Sequence, residues 1–247
     1  MRLYAELAEA YHQMYGVLFD YKKEFKSYGR ILVKYGCRSV LEIGCGSGRL
    51  AAHFLRAGFA YTGIDLSADM LRIARRENPG ARFMQADMRD FSLSRKVDAA
   101  IITGRTLSHA VTNIDVLAAL KRARAVLKNQ GLLVFDAFRA EEMVRAAPRT
   151  LTQVVRRGDT VYRRLSRTSL NLGTGWTVDW EAEYRIRKKG RKEKVVRDRT
   201  TLRAFTKDEL ELFLSLSGFE VLEFRRGKVY VLAARKTGGR YPKKPAG

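Results

Sequence analysis

The chain has 247 residues, 46% hydrophobic and 30% charged, with 4 prolines. That is enough for one full core with a sizeable insertion or for two modest domains, burying roughly 70–75% of the unfolded surface. No apolar run approaches the roughly 20 residues that span a bilayer. The N-terminus carries acids early and does not read as a signal peptide, and two cysteines, Cys37 and Cys45, give no disulfide framework. A reducing cytoplasm is the expected setting, with no membrane partner. The net charge of +22 leaves open an electrostatic footprint for RNA or another polyanion, or simply a heavily charged surface.

In chain order, residues 1–36 read as two helices: Leu3, Leu7, Tyr11, Met14 and Leu18 fall at three- and four-residue steps, as do Tyr21, Phe25, Tyr28 and Leu32. From Ser39 the period changes. Short apolar strands (Val40–Ile43, Phe59–Ile64, Arg82–Ala86, Val97–Ile102, Leu132–Phe135) alternate with helices over about Arg49–Arg56, Ser67–Arg76 and Ile114–Leu127. The last of these is expected to stop at Asn129-Gln130-Gly131. This rhythm predicts a parallel sheet with helices on both faces.

Between Arg139 and Phe205 no helix signal is found and the strands read as long and antiparallel. In Trp176–Arg187 every even position is apolar and nearly every odd one is charged, the pattern of a half-buried strand. Val161–Leu172 and Val195–Phe205 are its expected partners. Thr206 and Glu209 then make a capping box for a helix to about Leu216, and Phe219–Phe224 with Val229–Ala234 close the sheet. The expected fold is therefore α/β, a doubly wound Rossmann-like sheet of seven strands with the last pair antiparallel. The expected organisation is an N-terminal helical lid (1–36), a core (37–138 and 206–236), an antiparallel β insert (139–205) and a basic tail (237–247).

Chemistry concentrates in Leu41-Glu42-Ile43-Gly44-Cys45-Gly46-Ser47-Gly48-Arg49-Leu50. A strand entering Gly-x-Gly-x-Gly and then a helix bends sharply and lets a ligand approach the backbone. The glycines do not follow the G-x-G-x-x-G of a nicotinamide site, and no Lys-Ser/Thr pair follows as in a P-loop. Asp65 ends the second strand and Asp87 the third, so with Glu42 three acids sit at carboxyl ends of parallel strands, where such sheets bind ligands. That field repels a pyrophosphate and suits a cationic nucleoside. The reading calls for no metal.

On these residues the chain resembles class I S-adenosylmethionine-dependent methyltransferases over roughly Leu41–Phe138 and the final strands. The resemblance implies S-adenosyl-L-methionine as cofactor and S-adenosyl-L-homocysteine as product. It further implies that Gly44, Cys45, Gly46 and Gly48 meet the methionine portion with Glu42 acting through water, and that Asp65 accepts the ribose hydroxyls. Leu66 and Met70 would pack beside the adenine, Asp87 and the Met88 amide would read it, and Thr103 would close the set after strand four. The tyrosine-rich N-terminal segment and late β insert are similar to small-molecule amine methyltransferases, the glycine N-methyltransferases and desosamine-type sugar N,N-dimethyltransferases. That likeness makes Tyr11 and Tyr21 cofactor-side candidates and the insert a wall for the acceptor.

Methyl transfer needs positioning first, and a base only if the acceptor arrives protonated. His109 is the candidate base and Arg105 a candidate anchor for an anionic acceptor, with a surface ion pair as the alternative role for Arg105. Asp136 either borders the pocket or is a hydrogen-bonded structural acid. The Asn/Asp-Pro-Pro-aromatic signature of nucleic-acid amine methyltransferases is replaced by Thr103-Gly104-Arg105-Thr106. The leading expectation is therefore a methyltransferase acting on nitrogen or oxygen of a small molecule. A methyltransferase of RNA or protein and a non-catalytic cofactor-binding factor are the alternatives. The apolar face of the insert is expected either to cover a pocket or to meet a second subunit in a homodimer.

Overall fold

The computed structural model describes residue 4 and residues 6–238. Leu3 and nearly all of the basic tail lie outside the described residues. Two helices open the chain, α1 (Ala8–Leu18) and α2 (Tyr21–Lys34), the second capped by Asp20, whose carboxylate accepts from the Lys23 amide. Then follow β1 (Ser39–Ile43), α3 (Ala51–Arg56), β2 (Ala60–Asp65), α4 (Ala68–Glu77), β3 (Arg82–Gln85), β4 (Val97–Ile102), α5 (Asn113–Val126), β5 (Leu127–Phe138) and α6 (Ala140–Ala146). After them come β6 (Arg149–Arg157), β7 (Thr160–Leu170), β8 (Thr177–Lys188), β9 (Lys194–Arg203), α7 (Lys207–Leu216), β10 (Phe219–Arg226) and β11 (Val229–Lys236).

Seven strands form one sheet in the order β10-β11-β5-β4-β1-β2-β3, with β11 antiparallel to both of its neighbours and the other pairs parallel. Alternate side chains of each central strand feed two cores. Leu41, Ile43, Ile102, Leu133 and Phe135 pack with α5 and α7 on one face. On the other, Val40, Ile101 and Val134 meet Ile31, Leu32 and Phe54 of α2 and α3. Strand order runs outward in opposite directions from β1 and β4, so the switch point lies between them, and the crevice beyond their carboxyl ends is the expected ligand site.

The second sheet, β6-β7-β8-β9, is wholly antiparallel. On its apolar face Val155, Ala182, Tyr184 and Val196 pack with Leu7, Ala10 and Met14 at and on α1. The opposite face carries cross-strand ion pairs, Arg197 to Glu183 at 3.0 Å and Arg199 to Asp179 at 3.2 Å, with Arg185 also on Glu183 at 2.8 Å.

Three sequence expectations need correction. A helix, α6, does interrupt 139–205; only its first residue is buried, so it shows no apolar period. Helix α5 ends at Val126 and the chain enters β5 at once, with Gln130 at φ 59° where the β4–β5 register slips between Val97↔Leu127 and Ala99↔Leu132. The Asn-Gln-Gly run is thus a bulge within a strand. Strand β6, where only Val155 is buried and no apolar alternation shows, supplies the fourth strand of the second sheet.

Candidate active site

A continuous cavity of about 1440 Å³ opens over the switch point. Its floor is the glycine turn and the ends of β2 and β3, its roof is α1, and its far wall is the inner face of the second sheet. Tyr11, Tyr21, Glu42, Gly44, Cys45, Gly46, Asp65, Leu66, Asp87, Met88, Thr103, Arg105 and His109 all line it.

The turn is shaped by close approach. Gly44 has φ +74°, and a β-carbon there would lie 2.3 Å from Thr106 Cγ2, so the loop after β4 is pressed directly on the turn. At Gly46, φ +52°, a β-carbon would meet no protein atom within 4 Å and would occupy the cavity itself. Gly48 plays another part. It does not line the cavity; a side chain there would strike Asn78 and Ala74, so it permits packing of α4.

Asp65 accepts the Gly46 amide at 2.8 Å on Oδ2 and the Ser67 amide at 2.9 Å on Oδ1. A carboxylate has about four lone-pair positions, so about two remain for a diol. Burial raises its pKa against these hydrogen bonds. Next to it, Leu66 is 65% exposed into the cavity, apolar surface with no protein cover. Met70, expected beside it, is fully buried and packs on Ala8 and Ile73 instead. It faces the helix–helix seam because a residue three places past the Ser67 cap points back toward α1. These features fit a ribonucleoside with a flat apolar base.

Glu42 is buried, with Tyr61 Oη donating at 2.6 Å and Thr103 Oγ1 at 2.8 Å. Burial pushes its carboxyl up to about 7. Asp87 is held by Arg89 through both oxygens, at 3.0 Å to Nε and 2.6 Å to Nη2, which pulls its carboxyl below the ordinary range. Arg89 reaches on to Asp115 at 2.8 Å.

Arg105 departs from expectation. It sits at φ 62°, its amide donates to Asp136 Oδ1 at 2.7 Å, and its guanidinium lies 3.6 Å from Asp136 Oδ2 and 3.8 Å from Glu24 Oε1. It also faces the rings of Phe19 and Phe138. Two carboxylates therefore answer its one charge. It is neither a bare anchor for an anion nor a surface arginine, and Asp136 is the structural acid of the two readings.

His109 lies in a short 3₁₀ turn (Thr106–His109) with Nε2 3.3 Å from Tyr4 Oη. Burial lowers its pKa, with Asp198 acting against that. His12, on α1, bonds Ser47 Oγ at 3.0 Å, and the Tyr4 carbonyl accepts from Ser67 Oγ. These bonds tie the roof to the glycine turn and to the start of α4. Along α1, Tyr11 stacks on Tyr15 at 3.9 Å and Tyr15 on Phe19 at 5.1 Å.

Sequence reasoning missed Glu24, Arg49, Tyr15 and Arg164, all of which line the cavity, whereas Trp180 lies on the insert face expected either to cover a pocket or to meet a second subunit. The i, i+4, i+8 spacing of Tyr11, Tyr15 and Phe19 was the available signal for one of them. The others depend on which distant segments meet.

Residues 40–131 match the family model described as a methyltransferase domain. Together with the sheet order and the strand-end acids, this defines the class: a methyltransferase domain over residues 40–131, set in the fold of the class I, S-adenosylmethionine-dependent methyltransferases. Among curated proteins, it is 34% identical to a dTDP-3-amino-3,6-dideoxy-alpha-D-glucopyranose N,N-dimethyltransferase of Streptomyces fradiae, over 53% of this chain and 52% of that one. It is 28% identical to the dTDP-3-amino-3,4,6-trideoxy-alpha-D-glucopyranose N,N-dimethyltransferase of Streptomyces venezuelae, over 74% and 76%. The solved structure of Streptomyces venezuelae DesVI superposes with a TM-score of 0.77 at 26% identity, covering 86% of this chain and 91% of that chain. The chain spans about half the length of several of the curated relatives it matches.

Proposed function

We propose that the protein transfers a methyl group from S-adenosylmethionine to an amine nitrogen of a small, hydroxyl-rich acceptor of the amino-sugar kind. One observation carries this: a single cavity joins the glycine turn and Asp65 to an inner wall bearing Ser166, Thr168, Thr200 and the ring of Trp180. Hydroxyls and an indole face suit a sugar ring, which presents polar edges and apolar C–H faces. The reading agrees with the sugar amines named for its relatives.

When bound, S-adenosylmethionine supplies a methyl carbon activated by a sulfonium. The chain's own residues do the rest by holding and enclosing. Asp65 and Leu66 fix the nucleoside end. The roof of α1, tied down by His12 on Ser47 and by Tyr4 on Ser67, keeps bulk water from the reacting region. Glu24 and Asp136 flank Arg105, so the one guanidinium beside the glycine turn is already answered and leaves no excess positive charge against a nitrogen acceptor that starts as a cation. His109, kept neutral by burial, is able to take the proton that frees the nitrogen lone pair.

The test is calorimetry with S-adenosylhomocysteine followed by transfer of labelled methyl to a panel of amino sugars and their deaminated counterparts. Label on the amines alone is expected; equal label on both sets would remove the nitrogen assignment. Asp65→Asn should weaken S-adenosylhomocysteine about tenfold or more, because its amide N–H would confront the Gly46 or Ser67 N–H. Unchanged affinity would show that the cradle lies elsewhere.

A further inference from the structure

The cavity's arginines divide sharply by partner. Arg89, Arg105 and Arg139 each lie within ion-pair distance of two carboxylates. Arg49, Arg149 and Arg164 have none among the described residues, and of these three it is Arg164, on β7, that is buried, only 7% exposed. Its Nη1 donates to Tyr15 Oη at 2.6 Å and its Nη2 to Gln153 Oε1, while Nε is buried without a partner. The guanidinium carbon lies 5.4 Å from the Tyr15 ring and 5.8 Å from the Trp180 ring. Burying a guanidinium without a counter-charge costs several kcal/mol, and neutral partners, the Tyr15 and Tyr184 phenols and the Gln153 amide, with two ring faces offset only part of that.

The strand itself points the same way. On β7, Arg164 faces inward and is buried while the neighbouring Leu165 faces out and is 44% exposed. This reverses the ordinary preference of the two residue types. The inward row runs Gln153, Arg164, Tyr184 across β6, β7 and β8, and the next row places Ser166 in the cavity wall. A cation is thus held by aromatic and amide partners at a cavity wall, with donors of its fork to spare.

We infer that Arg164 is the receptor for an oxyanion, carboxylate or phosphate, carried by the methyl acceptor itself. The acceptor is then an amino compound with an anionic substituent, held by the insert while its nitrogen points to the glycine turn. This deepens the proposed function and rests on it. The cation on the insert wall would fix which end of the acceptor meets the methyl group.

Three probes separate the possibilities: glucosamine without an anion, glucosamine 6-phosphate and muramic acid, the last bearing a carboxylate. Binding is read from the emission of Trp180 in a Trp176→Phe background, where it is the remaining one of 2 tryptophans, and by calorimetry in the full chain. At least one anionic probe should bind about tenfold or more tighter than glucosamine, and whichever does so names the anion. Arg164→Gln should abolish that preference, and Arg164→Lys should retain part of it. S-adenosylhomocysteine affinity should change less than about twofold in either variant, which also reports that the fold is intact. Equal binding of all three probes to the unaltered site, absence of binding by both anionic probes, or a preference that survives Arg164→Gln would overturn the inference. So would a large loss of S-adenosylhomocysteine affinity in Arg164→Gln, since Arg164 would then serve the cofactor. Failure of the parent protein to bind S-adenosylhomocysteine would instead strike the methyltransferase reading, while the probe comparison still judges Arg164.

Discussion

Glu42 and His109 are both displaced from ordinary titration by burial, in opposite directions along the pH scale. For Glu42 the folded carboxyl titrates near 7 against an ordinary 4.5. Between those values the folded state binds more protons than the unfolded, so stability falls as pH rises through that window. The loss amounts to at most about 3 kcal/mol and is complete above pH 7. On raising the pH from 5 to 8, ligand-free Glu42→Gln should therefore lose less melting temperature, or gain more, than the parent protein. Parallel curves for the two proteins would refute the assignment. For His109 the folded pKa lies below the ordinary 6.5, so the unfolded state binds the extra proton. Its contribution is present above pH 6.5 and is lost as pH falls through the folded value. The same neutral imidazole predicts a rate that declines on the acid side. His109→Gln should lose that limb and about a hundredfold in kcat if it takes the acceptor's proton; full turnover on the true acceptor would remove the base.

Arg203 joins elements that the chain keeps far apart. It ends β9, is only 2% exposed, and donates to Asn113 Oδ1 at 2.7 Å, to the Val111 carbonyl at 3.3 Å and to Glu209 Oε1 at 2.9 Å. It thereby fastens the second sheet to the starts of α5 and α7. Arg203→Met should cost about 3 kcal/mol, chiefly because buried acceptors lose their donors. Glu209, about a quarter exposed, regains water, so Glu209→Gln should cost less. Urea midpoints for the two variants check this ordering, and an equal loss would refute it.

The same scale shows what the sequence reveals. Parallel core strands such as Leu41–Ile43 and Ala99–Ile102 are buried on both sides, so they stand out as apolar runs. The strand-end acids and the glycine turn are legible because their roles are fixed within a few residues. Strand β6 is not legible, because Gln153 faces a cavity and only Val155 is buried. A strand that lines a polar site loses the alternation that would announce it. Glu24, Arg49 and Arg164 were out of reach for a related reason: each takes its meaning from segments brought together only by the fold.

For the whole molecule, a net charge of +22 and a recessed cavity make opposite demands on a partner. The charge attracts any polyanion, but the cavity is roofed by α1 and walled by the second sheet, whose outer face pairs its own charges rather than forming a phosphate track. Affinity for nucleic acid should therefore come from counterion release alone and carry no chemistry. Bulk tRNA should bind at about 50 mM salt and be released by about 300 mM, with a steep log-log slope. S-adenosylhomocysteine, if held at Asp65 and Leu66 as proposed, should bind with nearly the same affinity across that range, because close contacts at a partly buried site are screened far less than surface charge. Labelled methyl should not enter the tRNA at either salt. Incorporation into RNA that persists at the higher concentration would mean a specific strand reaches the glycine turn, and the small-molecule reading would have to give way to it.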